Sequence, residues 1–204
     1  MKRVGESAWL LAFEDEDEEH ANLRAREARA ELLKRGPRGL VEAVPAARSL
    51  LVVGAPAFDP AVLEGLDHVR AAPRTSPTVH EMRVRFDGED IAAVLAASGL
   101  DRDALEEVFF ETRFTVGFLG FLPGFAYLYG LPKALHVPRR ASPRLAVPAG
   151  ALAVAGPYAA IYPSRTPGGW NLIGTAMPPW PLFEASRETP NLFSPGDEVR
   201  FVPA

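Results

Sequence analysis

The chain has 204 residues, 48% of them hydrophobic and 24% charged, a composition typical of ordinary globular proteins. It has 22 Lys and Arg against 26 Asp and Glu, a formal net charge of −4, and no cysteine. These numbers exclude disulfides, thiolate metal ligands and a cysteine nucleophile, and they argue against nucleic-acid binding. No long apolar stretch opens the chain, so we expect neither a signal peptide nor a membrane span and predict a cytoplasmic protein.

The first third of the chain predicts a small α/β layer. Residues 7–13 have the pattern of a buried strand, and an acidic run follows them. Acidic side chains suit the positive end of a helix, here one of about 18 residues that stops at Gly36-Pro37. An interaction tail is the alternative interpretation of the acidic run. Two strands and a shorter helix complete a ferredoxin-like layer, at 40–44, 49–53 and 58–69.

A linker separates this layer from the rest of the chain. Residues 71–78 contain two prolines among small polar residues. We therefore predict one domain over 1–75 and a second over 76–204. The second domain is expected to begin with a strand at 82–86 and two helices at 91–97 and 101–111, with Asp101 as the cap of the later helix.

Beyond residue 111 the pattern changes to short apolar runs between turn signals. None of these runs leaves room for a long helix between neighbours, so the segment predicts an all-β barrel or sandwich. Pro195-Gly196-Asp197 predicts a turn into a closing edge strand. The expected strands are 114–121, 152–155, 159–162, 171–175 and 199–202.

The segment 112–183 contains no Asp or Glu. Residues 1–112 carry 14 basic and 22 acidic side chains, whereas 113–204 carry 8 and 4. The acid-free segment cannot supply a carboxylate base or metal ligand, but it predicts a cationic surface suited to an anion. Arg139, Arg140 and Arg144 cluster there. They could bind a carboxylate or phosphate, or pair with acids of the front half or of a partner.

Two glycine-rich stretches allow either a functional or a structural interpretation. Pro167-Gly168-Gly169-Trp170 could let a ligand approach the backbone, or it could form a tight barrel corner with a core Trp. Residues 117–125 could be a mobile loop lining a ligand site, or a strand bent by glycines.

Several familiar catalytic patterns are missing from the sequence. It has no phosphate-binding loop of the P-loop type and no nucleophile elbow around a serine. The four histidines lack the spacing of a metal site, so no metal is expected. His136 is the histidine of the acid-free segment, where it could carry a proton or could be an exposed loop residue.

In their order along the chain, these motifs resemble the family of the kinase inhibitor KipI and 5-oxoprolinase subunit PxpB. The family is also known as allophanate hydrolase subunit 1, or carboxyltransferase subdomains C and D. The resemblance covers nearly the whole chain. The motifs that carry it are VPA with RSLLV over 44–52, GFLPGFAYL over 120–128, PRRASPR over 138–144, VPAG over 147–150, TPGGWNLIG over 166–174 and PGDEVRF over 195–201.

The resemblance implies an α+β protein in which a cyclophilin-like β-barrel domain follows the small N-terminal α/β domain. It implies a partner, the subunit-2 (PxpC-like) protein, whose related barrel packs against this one, and a LamB/YcsF-like (PxpA) third subunit. Such an assembly opens 5-oxoproline to glutamate with the use of ATP. This chain alone is expected to bind no cofactor and to be inactive.

Two other functions fit the same resemblance. One is a KipI-like inhibitor of a sensor histidine kinase, and the other is a carboxyltransferase or allophanate hydrolase subunit that acts on urea derivatives. For the first function, a small carboxylate-bearing substrate is expected to contact the family motifs. The expected substrate-binding residues are Gly120, Pro123, Gly124, Phe125, Tyr127, Arg139, Arg140, Arg144, Gly150, Pro167, Gly168, Gly169, Trp170 and Asn171.

The chain departs from the family pattern at four places. The family's His is missing from 109–112, and Ala47 replaces the Tyr before Arg48. Residues 174–177 replace Gly-Arg-Thr-Pro, and the loop after the linker is shortened to 86–88. A missing His and Arg near the expected cleft point to an altered substrate or to lost activity.

Overall fold

The computed structural model describes residues 1–15, 17–71, 76–177 and 181–204. The chain divides into two compact units, Met1–Thr75 and Ser76–Ala204. Most of the predicted linker at 71–78 lies outside the described residues. Across the described ranges, no helix is long and apolar enough to cross a membrane.

The first unit is a four-stranded antiparallel sheet with one long helix. Its sheet order is β1-β2-β4-β3, so the chain leaves β2, forms the helix and returns to β3 on the far side of β4. This is the split β-α-β connection of a ferredoxin-like layer. The elements are β1 Lys2–Arg3, β2 Ala8–Ala12, α1 Glu18–Arg35, β3 Leu40–Pro45 and β4 Ser49–Gly54.

Helix α1 begins and ends where the sequence predicted. The Asp17 side chain caps the start by accepting from the N–H groups of Glu19 and His20, each at 3.3 Å. Gly36 ends the helix in the left-handed conformation, with φ of 58°. The acidic run is therefore a helix start. Small residues on the buried face let the helix lie close to the sheet, namely Ala21, Ala25 and Ala28.

The predicted helix at 58–69 is wrong. The segment forms two 3-10 turns instead, Pro60–Leu63 and Leu66–His68. Gly65 lies between them in the left-handed conformation, with φ of 76°, which interrupts any continuous helix. Both turns still contribute apolar side chains to the core under the sheet, through Leu63 and Leu66.

The second unit is a closed barrel of seven strands, as predicted. Its strand order is β10-β7-β6-β13-β5-β12-β9, while β8 and β11 form a separate two-stranded ladder. The strands are β5 Val79–Arg85, β6 Phe114–Leu119, β7 Ala126–Tyr129, β8 Arg144–Val147, β9 Ala151–Ala155, β10 Tyr158–Ile161, β11 Thr166–Gly168, β12 Asn171–Ala176 and β13 Glu198–Pro203. Two predicted helices are confirmed, α2 Ile91–Ser98 and α3 Arg102–Glu111, and a 3-10 turn follows at Lys133–Leu135.

The prediction that the last strand lies at a sheet edge is wrong. Strand β13 pairs in parallel with β5 and antiparallel with β6, so it closes the barrel from within. Closure leaves no edge strand in the barrel. The sequence also missed β7, β8 and β11, because each is short and interrupted by Gly or Pro.

Strand β9 separates two hydrophobic cores. Its residues are all buried, and they alternate between the two faces. Leu152 and Val154 point into the barrel core. The alanines at 151, 153 and 155 face an outer core that contains several aromatic rings. That outer core holds many of the residues predicted to bind a substrate.

Candidate functional site

An aromatic layer covers the outer face of β9 and β10. Its members are Phe118, Phe125, Tyr127, Tyr158, Tyr162 and Trp170. Phe125 lies at the centre, edge-on to Trp170 at 5.5 Å and to Tyr162 at 5.2 Å between ring centroids. Alanines on β9 and β10 leave the room that these rings occupy.

The loop from Gly120 to Phe125 is built from two consecutive tight turns. Leu122 N–H donates to the carbonyl of Gly120 at 2.8 Å, and Phe121 between them has φ of 70°. This is a γ-turn of the rare, strained hand. Phe125 N–H then donates to Leu122 at 3.1 Å across Pro123-Gly124, and φ of 83° at Gly124 fits a type II turn.

Contacts from the C-terminal segment hold this loop in place. Gly124 N–H donates to Oδ1 of Asn191 at 3.1 Å. A Cβ at Gly124 would lie 2.8 Å from the Cβ of Phe183, so the approach requires glycine. The loop is thus a hydrogen-bonded double turn that buries Phe125 and leaves Phe121 60% exposed.

Two of the three clustered arginines pair with carboxylates of the same unit. Arg140 Nη1 lies 2.5 Å from Asp90, and Arg144 Nη2 lies 2.8 Å from Asp90 and 3.2 Å from Glu89. Of the alternatives left open for Arg140 and Arg144, the structure shows pairing with acids of the front half of the sequence. The cationic surface expected from the acid-free segment is therefore partly neutralised.

Asp90 is the buried centre of this network. Its Oδ2 accepts from the backbone N–H of Leu172 at 2.7 Å. Burial alone would raise the pKa of Asp90, but hydrogen bonds from Arg144 and Leu172 and the charges of Arg144 and Arg140 outweigh it and lower the pKa. The hydrogen bond from Asp90 is the main cause that raises the pKa of Arg144. Asp90 is consequently a poor proton acceptor near neutral pH.

Arg139 differs from its two neighbours. Its side chain is exposed, and its guanidinium carbon lies 6.0 Å from the centre of the Trp170 ring. Within the described part of the chain, no carboxylate lies at ion-pair distance from Arg139.

The motif from Pro167 to Asn171 holds the arginine segment against the barrel. The carbonyl of Gly169 accepts from Arg140 N–H at 2.8 Å, and Nδ2 of Asn171 donates to the carbonyl of Pro138 at 2.8 Å. Trp170 is 5% exposed. These contacts match the interpretation of the motif as a tight corner with a core Trp. Pro167 lies exposed in β11.

Gly150 lines a pocket beside the aromatic layer. The pocket has a volume of about 210 Å³ and is mainly apolar. The amide of Gly150 donates to the carbonyl of Tyr162 at 2.8 Å, and its own carbonyl accepts from Ala176 at 2.7 Å. The lining residues are Met82, Ala149, Gly150, Ile161, Tyr162, Pro163, Ala176, Pro181 and Leu182.

Two histidines have structural partners. Nε2 of His136 lies 2.8 Å from the carbonyl of Leu131, which holds the loop in which it sits. Nε2 of His80 lies 3.0 Å from the buried Asp197 carboxylate and joins β5 to the turn before β13. No group of three His, Asp or Glu side chains in the described ranges is arranged to hold a metal ion.

Sequence reasoning missed three residues of this site: Glu89, Asp90 and Phe121. The two acids lie outside the acid-free segment, and nothing local links them to arginines more than 50 positions away. Phe121 looks like an ordinary apolar residue in the sequence, because its positive φ is visible only in the structure.

The sequence matches the family model described as "Carboxyltransferase domain, subdomain C and D" over residues 1–193. The chain belongs to this family. Among relatives of this carboxyltransferase C and D protein is the B-type 5-oxoprolinase subunit of Escherichia coli O157:H7. The two are 50% identical over 117 residues, which are 57% of this chain and 52% of that protein. The chain thus matches about half the length of that relative.

A second relative of this family member aligns over almost its whole length. The B-type 5-oxoprolinase subunit of Bacillus subtilis is 31% identical over 222 aligned positions, covering 99% of this chain and 91% of that protein. The crystal structure of TTHA0988 superposes with a TM-score of 0.80 at 39% identity. It covers 97% of this chain, which spans only 40% of the TTHA0988 chain. The predicted family and the mixed α/β fold with a barrel are confirmed.

Proposed function

We propose that this chain is a non-autonomous subunit of a 5-oxoprolinase, an assembly that opens 5-oxoproline to glutamate with the use of ATP. The observation that carries the proposal is the nearly full-length alignment with the Bacillus subtilis protein, which is named as a B-type subunit of 5-oxoprolinase. Because the substrate carries a carboxylate, its site needs cationic or N–H donors and no competing acid nearby. The exposed Arg139 over the aromatic layer supplies such a donor.

The chemistry of the site supports a chain that binds but does not act alone. Opening a lactam requires an activated water or another nucleophile, and therefore a proton acceptor. In the described part of the arginine network, Asp90 is held by two arginines and its pKa is lowered, so it is a weak base. We place the missing acid–base groups on a subunit-2 (PxpC-like) partner.

We assign the use of ATP to the assembly and not to this chain. The sequence has no phosphate-binding loop of the P-loop type. A LamB/YcsF-like (PxpA) protein would be the third component. On this proposal, the chain contributes binding surface, and it needs no cofactor of its own.

Reconstitution tests the proposal. The chain is co-expressed with candidate subunit-2 and LamB/YcsF-like proteins from its own source, and glutamate release from 5-oxoproline is measured with and without ATP. We expect ATP-dependent release from the assembly and none from the purified chain. Co-purified subunits without glutamate release would refute the proposed reaction, and turnover by the pure chain would refute the shared site.

The family description favours one alternative, a carboxyltransferase subunit acting on urea derivatives. The same assembly would then consume ATP and bicarbonate when urea is supplied and would leave 5-oxoproline intact. Parallel assays with the two substrates distinguish the alternatives, because each predicts turnover of a different compound by identical protein.

A further inference from the structure

The three clustered arginines differ in how strongly the chain itself neutralises them. Arg140 and Arg144 are held on Asp90 at 2.5 and 2.8 Å. An incoming anion would have to displace this buried carboxylate to use either of them. Arg139 lies over Trp170 and has no carboxylate partner among the described residues. A guanidinium stacked on a ring keeps its planar N–H fork available to an anion.

A second unpaired donor lies against the same ring. The centroid of Tyr127 is 5.6 Å from that of Trp170, at an interplanar angle of 68°. The Tyr127 hydroxyl has no hydrogen-bond partner in the described ranges. By contrast, the hydroxyl of Tyr162 is already engaged by the backbone of Trp170. Half-buried Tyr127 therefore presents an O–H donor at the surface of the aromatic layer.

Electrostatics place the two donors within reach of each other. Burial raises the pKa of Tyr127, and the positive charge of Arg139 opposes that rise. The phenol therefore stays neutral near neutral pH and can donate. A carboxylate has two oxygens, so it can accept from a guanidinium and a hydroxyl at once.

We propose that Arg139 and the Tyr127 hydroxyl form an anion subsite over Trp170, which binds the carboxylate of a small substrate. The identity of that substrate as 5-oxoproline rests on the proposed function. Phe121 lies beside the subsite, because its ring is 5.3 Å from Phe125, which in turn is 5.5 Å from Trp170. The aromatic surface suits a small ring next to the carboxylate.

The test uses the full chain and three small probes. Acetate, 5-oxoproline and 2-pyrrolidinone are titrated while NMR follows the indole N–H and arginine side-chain N–H signals. 2-Pyrrolidinone has the same lactam ring as 5-oxoproline but no carboxylate. We expect saturable shifts with acetate and 5-oxoproline and none with 2-pyrrolidinone.

Three variants locate the binding group. Arg139→Ala should weaken 5-oxoproline binding by about ten- to hundredfold, since a charged hydrogen-bond partner is lost. Tyr127→Phe should weaken it by about three- to tenfold while keeping the ring. Lys133→Ala removes an exposed cation elsewhere in the unit and should leave binding unchanged. Circular dichroism checks that each variant is folded.

The proposal is overturned if the wild-type chain binds neither carboxylate probe, or if Arg139→Ala or Tyr127→Phe binds 5-oxoproline as tightly as wild type. The outcome is separable from that of the proposed function. Arg139-dependent acetate binding without 5-oxoproline turnover by the assembly would leave the subsite standing and refute the function. Normal turnover by an Arg139→Ala assembly would do the reverse.

Discussion

Nη2 of Arg144 lies 2.8 Å from Oδ1 of Asp90, a residue 54 positions earlier in the chain. The same carboxylate accepts from Leu172 N–H on β12 through its other oxygen. One side chain thus connects the start of α2, the β8–β11 ladder and a barrel strand. This relationship turns an arginine that looked available for substrate into a structural tie.

We expect Asp90→Asn to lower the free energy of unfolding by about 2–4 kcal/mol, because it leaves two arginines without their buried counter-charge. The matched control is Glu89→Gln. Glu89 pairs with the same Arg144, but its side chain is 75% exposed, and such a pair contributes at most about 1 kcal/mol. Urea unfolding followed by near-UV circular dichroism measures both. Equal costs for the two variants would contradict the central role of Asp90.

The lowered pKa of Asp90 predicts how stability changes with acid. Its pKa lies below the ordinary value of 3.8, so the unfolded chain takes up the proton first. The stabilising contribution is therefore complete above that value and is lost as the pH falls through the folded-state pKa. Urea midpoints between about pH 5 and pH 2 should fall more steeply for wild type than for Asp90→Asn. Parallel slopes would show that Asp90 does not titrate as inferred.

The two adjacent glycines before Trp170 should differ in their tolerance of alanine. A Cβ at Gly168 would lie 2.5 Å from Oη of Tyr162, whereas a Cβ at Gly169 would meet nothing closer than Pro143 at 3.8 Å. We expect Gly168→Ala to cost about 1–3 kcal/mol and Gly169→Ala less than about 1 kcal/mol. Thermal melting of both variants checks this difference. A reversed order would mean that the tyrosine moves aside.

The γ-turn at Phe121 stores backbone strain that glycine can relieve. Phe121→Gly and Phe121→Ala both remove the ring, but only glycine adopts a φ of 70° without cost. We expect the glycine variant to be about 1 kcal/mol more stable than the alanine variant. Urea unfolding decides the comparison. Equal stability would mean that the turn relaxes to negative φ once the ring is removed.

The barrel unit is expected to fold on its own as residues 76–204. The hydrophobic clusters of the barrel draw their buried residues from Met82 to Phe201, and the cluster of the first unit draws its own from Leu11 to Leu66. No buried core residue is shared between them in the described ranges. The fragment should melt cooperatively and keep its near-UV circular dichroism. A fragment with secondary structure but no cooperative melting would contradict this independence.

Much of the fold could be predicted because its signals are local. Capping by Asp17 and Gly36 and the short apolar runs of the barrel depend on residues close together in the chain. The helix expected at 58–69 failed because Gly65 outweighed the apolar pattern around it. The site was predicted in composition, since the Phe125, Tyr127 and Trp170 rings gather with Arg139. The division of labour among the arginines was not predicted.

The sequence by itself determined the family, the two kinds of layer and the residues that a substrate site would use. Only the tertiary structure decided which charges neutralise one another and which strands flank β13. Both outcomes depend on contacts between segments far apart in the chain, and a single sequence carries no local signal for such contacts. Asp90 meets Arg144 because barrel closure brings the start of α2 beside β12 and β8. Arg139 is left available for the same reason.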